Sequence, residues 1–170
     1  FYEASQERLQ KEIESLFADA IDKRTKNVRA IISPHAGYVF SGRVAASAFN
    51  QIDGDKKYEN IFILASSHQE HFNGASVYCD GDYVMPYGKV KVNTDLCMLL
   101  VDRHPDLFTS NAKSHLKEHS IEVQLPFLHH VMKTEYCIVP IIIGGSDKNN
   151  CLKLAKALEP WFNQDNLFII

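Results

Sequence analysis

The chain has 170 residues, of which 45% are hydrophobic, and its formal net charge is −3 at pH 7. This length and composition suit one domain with a sizeable core, and the lack of excess positive charge argues against nucleic acid binding. No segment is long and apolar enough to span a bilayer, and the first residues lack the pattern of a secretory signal. The four cysteines are widely spaced without a C-x-x-C pair, which is typical of reduced thiols. We therefore expect a cytoplasmic, globular protein that binds neither nucleic acid nor membrane.

Taken in order, the chain alternates between helix and strand patterns. A first helix, capped by Ser5, has apolar residues at a 3.6-residue period through Ile21. The elements predicted after it are a strand over 28–32, a helix opened by Ser41-Gly42, a strand over 61–64, short hairpin-like strands within 75–92, a helix capped by Asn93 or Thr94, a strand over 137–143, a helix marked by Leu152, Ala155, Leu158 and Phe162, and a strand over 167–170. This order predicts a layered α/β fold with a mixed, largely parallel central sheet flanked by helices.

Both ends of the chain are unusual. It begins with Phe1-Tyr2 instead of an initiator Met and ends on the apolar strand pattern at 167–170. Because a natural terminus is usually solvated, we expect a single α/β domain over residues 1–170 that is incomplete at its carboxyl end.

Two predicted strands each lead into a histidine just past their carboxyl ends. His35 follows Ile31-Ile32-Ser33-Pro34, and His68 follows the run Ile61 to Ser67. Ligands bind at this edge of open α/β sheets, and imidazole is the commonest protein ligand for a transition metal. If the two strand ends are neighbours, both rings can bind one ion. Alternatively, His35 caps the next helix, and His68 is a solvated loop residue or pairs with His71.

A third polar cluster lies at 117–128. His119 and Glu122 are three residues apart and can share one helix face, where they would supply a ligand, a general base or a hydrogen-bonded cap. If Ser120 caps that helix, Pro126 falls in its first turns. Four other histidines are assigned no function: His129 and His130 suit a helix end, and His104 and His115 are expected at the surface.

Three segments together resemble the MEMO family, whose bacterial and archaeal members are called AmmeMemoRadiSam system protein B. They are Ser-Pro-His-Ala-Gly-Tyr at 33–38, Ser-His at 67–68, and Glu-His-Ser-Ile-Glu-Val-Gln-Leu-Pro-Phe at 118–127. The resemblance continues through 139–144 and 166–170 and so covers nearly the whole chain. It departs from the family at Ala65-Ser66, where Gly-Pro is usual.

The resemblance implies a fold shared with class III extradiol dioxygenases (LigB-like), which use non-haem iron(II). His35 and His68 would be metal ligands, with iron(II) the expected metal and zinc or copper the alternatives. His119 matches a family position near the same cleft but is not expected to be a ligand. The family's third ligand, a Cys, would lie beyond Ile170, and none of the cysteines here matches it. The family name also implies a functional association with radical-SAM and AMMECR1-like proteins.

Three functions compete at this point. The first is a metal-dependent, dioxygenase-like oxidoreductase of uncharacterised activity, in which His119 and Glu122 are catalytic and His119 transfers a proton. The second is a non-catalytic binding or scaffold protein that uses the same cleft. The third is a metal-dependent hydrolase with Glu122 or Glu118 as the base. The ligand, a small molecule or a peptide, is not identified by the sequence.

Overall fold

The fold was analysed from a computed structural model, which describes residues 1–145 and 147–170. The helices are α1 (Gln6–Ala18), α2 (Tyr38–Phe49), α3 (Thr94–Arg103), α4 (Lys113–Leu116), α5 (Leu125–Val131) and α6 (Lys148–Leu158), with 3₁₀ turns at Glu122–Gln124 and Glu159–Trp161. The strands are β1 (Ala30–Ile31), β2 (Asn60–Ser66), β3 (Ala75–Val77), β4 (Tyr83–Met85), β5 (Gly88–Val90), β6 (Phe108–Thr109), β7 (Ile138–Ile143) and β8 (Asn166–Ile169).

Six of these strands form the central sheet, in the order β1-β8-β2-β7-β3-β6. Every neighbouring pair is parallel except β3 and β7, which are antiparallel. Strands β4 and β5 form a separate antiparallel hairpin. The predicted mixed, largely parallel α/β fold with hairpin-like strands in the 75–92 region is confirmed.

The centre of the sheet is formed by apolar strands, as expected for parallel strands covered on both faces. In β2, Ile61, Phe62 and Ile63 are at most 1% exposed. The Phe62 ring stacks on that of Phe168 in β8, with 4.6 Å between the ring centroids. Within the described residues, no helix is long and apolar enough to cross a membrane.

Several predicted boundaries are wrong. The strand predicted over 28–32 is reduced to Ala30–Ile31, and helix α2 begins at Tyr38, before the predicted Ser41-Gly42. Ser5 does precede α1, but its side chain makes no capping hydrogen bond within the described part of the chain. Local propensity sets where a helix can begin, whereas contacts to distant residues set where it does begin. For α2, the N–H of Tyr38 donates to the carbonyl of Phe1 at 2.9 Å.

Two further predictions concerned helices, and one of them needs correction. Ser120 does not cap a continuous helix, because a 3₁₀ turn comes first and Pro126 lies in the opening turn of α5. The helix predicted from Leu152, Ala155, Leu158 and Phe162 is present as α6, with Leu154, Ala157 and Leu158 buried and Leu152 57% exposed.

Candidate metal and ligand site

The loop after β1 carries His35 across the end of a strand. The sequence predicts a shared site only if the ends of β1 and β2 are neighbours. They are not, because β8 lies between the two strands. The loop after β1 contacts the residue that follows β8, because the N–H of Ser33 donates to the carbonyl of Ile170 at 2.8 Å. The carbonyl of Pro34 then accepts a bond from Gln124 Nε2 at 3.1 Å, which fixes the loop beside His35.

His35 and His68 meet at the carboxyl edge of the sheet, with their Nε2 atoms 3.3 Å apart. Two imidazole nitrogens bound to one tetrahedral ion, at about 2.0–2.1 Å each, are separated by about 3.3 Å. The same distance also fits a hydrogen bond between two neutral rings. The distance is therefore compatible with a shared metal ion and with a direct hydrogen bond between the rings.

The pKa of His35 is lowered, first by its partial burial and then by the neighbouring His68 ring, against the opposing effect of Glu118. Metal binding requires the neutral ring. The surroundings of His35 therefore favour the neutral ring, which is the form that can bind a metal ion.

Glu118 lies behind His68. Its carboxylate accepts bonds from the His68 backbone N–H at 2.7 Å and from the Ser120 backbone N–H at 3.1 Å, and His68 Nδ1 lies 3.1 and 3.2 Å from its two oxygens. Burial would raise the pKa of Glu118, but these hydrogen bonds outweigh it and the pKa is lowered. A buried, ionised carboxylate thus contacts the ring that faces His35.

His119 and Glu122 form a second pair on the same segment. His119 Nδ1 lies 2.8 Å from Glu122 Oε2, and the Tyr2 hydroxyl donates to Glu122 Oε1 at 2.5 Å. The Phe1 ring packs on the His119 ring, with 4.6 Å between the ring centroids. The predicted pairing of His119 with Glu122 is thus present, and two residues from the start of the chain hold it.

Two cavities adjoin these residues. One, of about 210 Å³, is lined by Glu118 and Glu122 together with Tyr78, Asp82, Tyr83, Val84, His115 and Leu116. The other, of about 500 Å³, is lined by His119 and Glu122 together with Phe1, Tyr2, Ala4, Val84, Met85 and Pro86. Because Glu122 and Val84 line both, the cavities adjoin each other between the β4–β5 hairpin and the 118–122 segment, and the two together are called the cleft below.

His115 is not a surface residue, contrary to the sequence prediction. It is 7% exposed, and its Nε2 lies 3.2 Å from the carbonyl of Ser76, while its Nδ1 lies 3.3 Å from the Tyr83 hydroxyl. A carbonyl can only accept, so Nε2 carries the proton and Nδ1 accepts from Tyr83. Burial lowers the pKa of His115 to about 4.

In the part of the chain that the structure describes, the two candidate metal ligands His35 and His68 are not joined by a third. Among the described residues, no three His, Cys, Asp or Glu side chains are grouped so that they could hold an ion. Cys79, Cys97, Cys137 and Cys151 are free thiols.

The order of the strands places the chain in the α/β class. A mixed, mostly parallel α/β sheet with a histidine pair at its carboxyl edge is consistent with the LigB-like fold expected from the sequence. The chain belongs to the Memo-like protein family, whose profile matches residues 1–170.

Curated relatives agree with this assignment. The chain is 34% identical over 153 residues to a MEMO1 family protein of Saccharolobus islandicus and 35% identical over 153 residues to one of Saccharolobus solfataricus, which covers 84% of this chain and 54% of each relative. It is 34% identical over 156 residues to a MEMO1 family protein of Pyrococcus abyssi, covering 89% of this chain and 53% of that relative. The chain spans about half the length of the curated relatives it matches.

Sequence reasoning missed two features of this site. From the sequence, Glu118 is a candidate base for hydrolysis, and its contact with His68 is not expected. The signal that points to it is its place beside His119 in the third segment. The buried His115 was assigned to the surface because no local pattern links it to Ser76 and Tyr83, which lie 39 and 32 residues away.

Proposed function

We propose that this chain provides two histidine ligands, His35 and His68, to one non-haem metal ion, and that the metal is iron(II). The observation that carries the proposal is the 3.3 Å separation of the two Nε2 atoms at the carboxyl edge of the sheet. Neutral imidazole suits iron, copper and zinc alike. Iron is preferred because the family resemblance points to dioxygenases that use it.

The proposed activity is a dioxygenase-like oxidation of a small molecule that binds in the cleft beside Glu122. A bound iron(II) would supply the oxygen chemistry of such enzymes. The chain's own residues would hold the ligand and transfer a proton. His119, whose Nδ1 lies against Glu122, can exchange a proton through Nε2.

Anaerobic titration of the full chain with iron(II) tests the metal ligands. The His35→Ala and His68→Ala variants should each lose most of the metal affinity. The matched control is His71→Ala, which removes an exposed imidazole from the loop after β2. Equal affinity in the wild type and both site variants would overturn the proposal.

Activity is tested separately, on iron-loaded protein. Oxygen consumption is measured with a panel of catechols, and the His119→Gln variant should slow turnover while leaving iron affinity unchanged. Stoichiometric iron without oxygen consumption by any substrate would instead favour a binding protein that uses the same cleft.

A further inference from the structure

The Glu118 carboxylate accepts from two backbone N–H groups and lies within hydrogen-bond distance of a ring nitrogen of His68. The side chain is 3% exposed, whereas the His68 side chain that it contacts is 50% exposed. One oxygen, Oε2, accepts the backbone N–H of His68, and the other, Oε1, accepts the backbone N–H of Ser120. His68 Nδ1 lies within 3.2 Å of both oxygens.

This arrangement determines which nitrogen of His68 carries the proton. An ionised carboxylate can only accept hydrogen bonds, so a ring nitrogen held against it must be the N–H. In a neutral imidazole the other nitrogen then has the free lone pair. For His68 that nitrogen is Nε2, the atom that faces His35.

We propose that Glu118 is a positioning residue that holds His68 as the Nδ1–H tautomer and aims its Nε2 lone pair at the space shared with His35. Its use in metal binding rests on the function proposed above, whereas the tautomer itself does not. Glu118 bonds to both the backbone and the ring of His68, so it fixes the ring's direction as well as its protonation. Carboxylates behind metal-bound histidines act in this way in many metal sites.

A purely structural role for Glu118 is the alternative. In that case its two backbone bonds would tie the 118–120 segment to the end of β2, and the ring contact would have no consequence. The Glu118→Gln variant separates the two roles. Its amide oxygen can keep one of the two backbone bonds while the other is lost, and its NH₂ group can donate to Nδ1 and so allow the other tautomer. The tautomer of His68, which a purely structural role would not change, is therefore the deciding measurement.

The tautomer is read from the imidazole ¹⁵N chemical shifts of metal-free, histidine-labelled protein at alkaline pH. For the wild type we expect His68 to show a protonated Nδ1 and an unprotonated Nε2. In Glu118→Gln we expect a mixture or the Nε2–H form. The matched control is Glu70→Gln, which removes an exposed carboxylate two residues from His68 and should leave the tautomer unchanged. A wild-type His68 in the Nε2–H form would overturn the proposal, even if the variant failed to fold.

Metal affinity gives a second measurement, with cobalt(II) as the probe. Glu118→Gln should weaken binding by about 10–100-fold relative to the wild type and Glu70→Gln. An unchanged affinity would show that Glu118 does not support the ligand. If the wild type bound no metal but showed the Nδ1–H tautomer, the proposed function would fail and the positioning role of Glu118 would stand.

Discussion

His115 should make the protein sensitive to mild acid. The pKa of this buried ring is lowered to about 4 in the folded protein, mainly by burial, against about 6.5 in an unfolded chain. As the pH falls from about 6.5 to about 4, the unfolded state therefore takes up a proton that the folded state does not. The free energy of unfolding decreases with falling pH over this window and is fully retained above it.

The size of the effect follows from the two pKa values. They differ by about 2.5, which corresponds to about 3.4 kcal/mol when both states are fully protonated. At pH 4 half of the folded molecules already carry the proton, so His115 should cost the folded state about 3 kcal/mol there. This is a large part of the total stability of an ordinary domain, about 5–15 kcal/mol.

The assay is urea unfolding of the wild type and of His115→Gln at pH 7 and pH 4. The wild type should lose about 3 kcal/mol more than the variant between the two pH values, because carboxylates titrate alike in both proteins and cancel. His71→Gln, which changes an exposed histidine, should follow the wild type. Equal losses in the wild type and His115→Gln would refute the burial argument.

Three further predictions concern stability at neutral pH and are measured by urea unfolding. Tyr2→Phe should cost about 1 kcal/mol by removing the hydroxyl that donates to Glu122, and no change would mean that the bond contributes nothing. Phe62→Ala should cost about 3–5 kcal/mol because the ring is fully buried. A cost below about 1 kcal/mol would contradict the burial of this ring in the core. Gly54→Ala should cost several kcal/mol, since a Cβ there would lie 2.0 Å from the carbonyl oxygen of Val131; a wild-type stability would contradict that close approach.

Elements with strong local signals could be predicted from the sequence. Asn93 caps α3 as expected, with its side chain accepting from the N–H of Leu96 at 3.1 Å, because this bond spans only three residues. The apolar runs of β2 and β7 likewise predict buried parallel strands.

The elements that could not be predicted depend on distant contacts. The apolar residues that predicted α6 are not all core residues, because Leu152 and Phe162 line an apolar groove of about 490 Å³ together with Ile170. A periodicity argument identifies a stripe of apolar residues but not the surface against which the stripe lies.

In the candidate site, too, local features could be predicted from the sequence and distant contacts could not. A histidine after each of two apolar strands was visible in the sequence, and the structure brings His35 and His68 together. The position of β8 between β1 and β2, and the contact between His68 and Glu118 across 50 residues of sequence, were not visible. The sequence therefore indicated the pair of rings but not what orients them.

The central claim is that His35 and His68 bind the same ion, and X-ray absorption spectroscopy of the iron(II)-loaded protein tests it most directly. We predict scattering from two imidazole rings around the iron of the wild type. In His35→Ala or His68→Ala protein that still retains iron at high metal concentration, we predict scattering from one ring. A wild-type spectrum without imidazole scattering, or one that neither substitution changes, would contradict it.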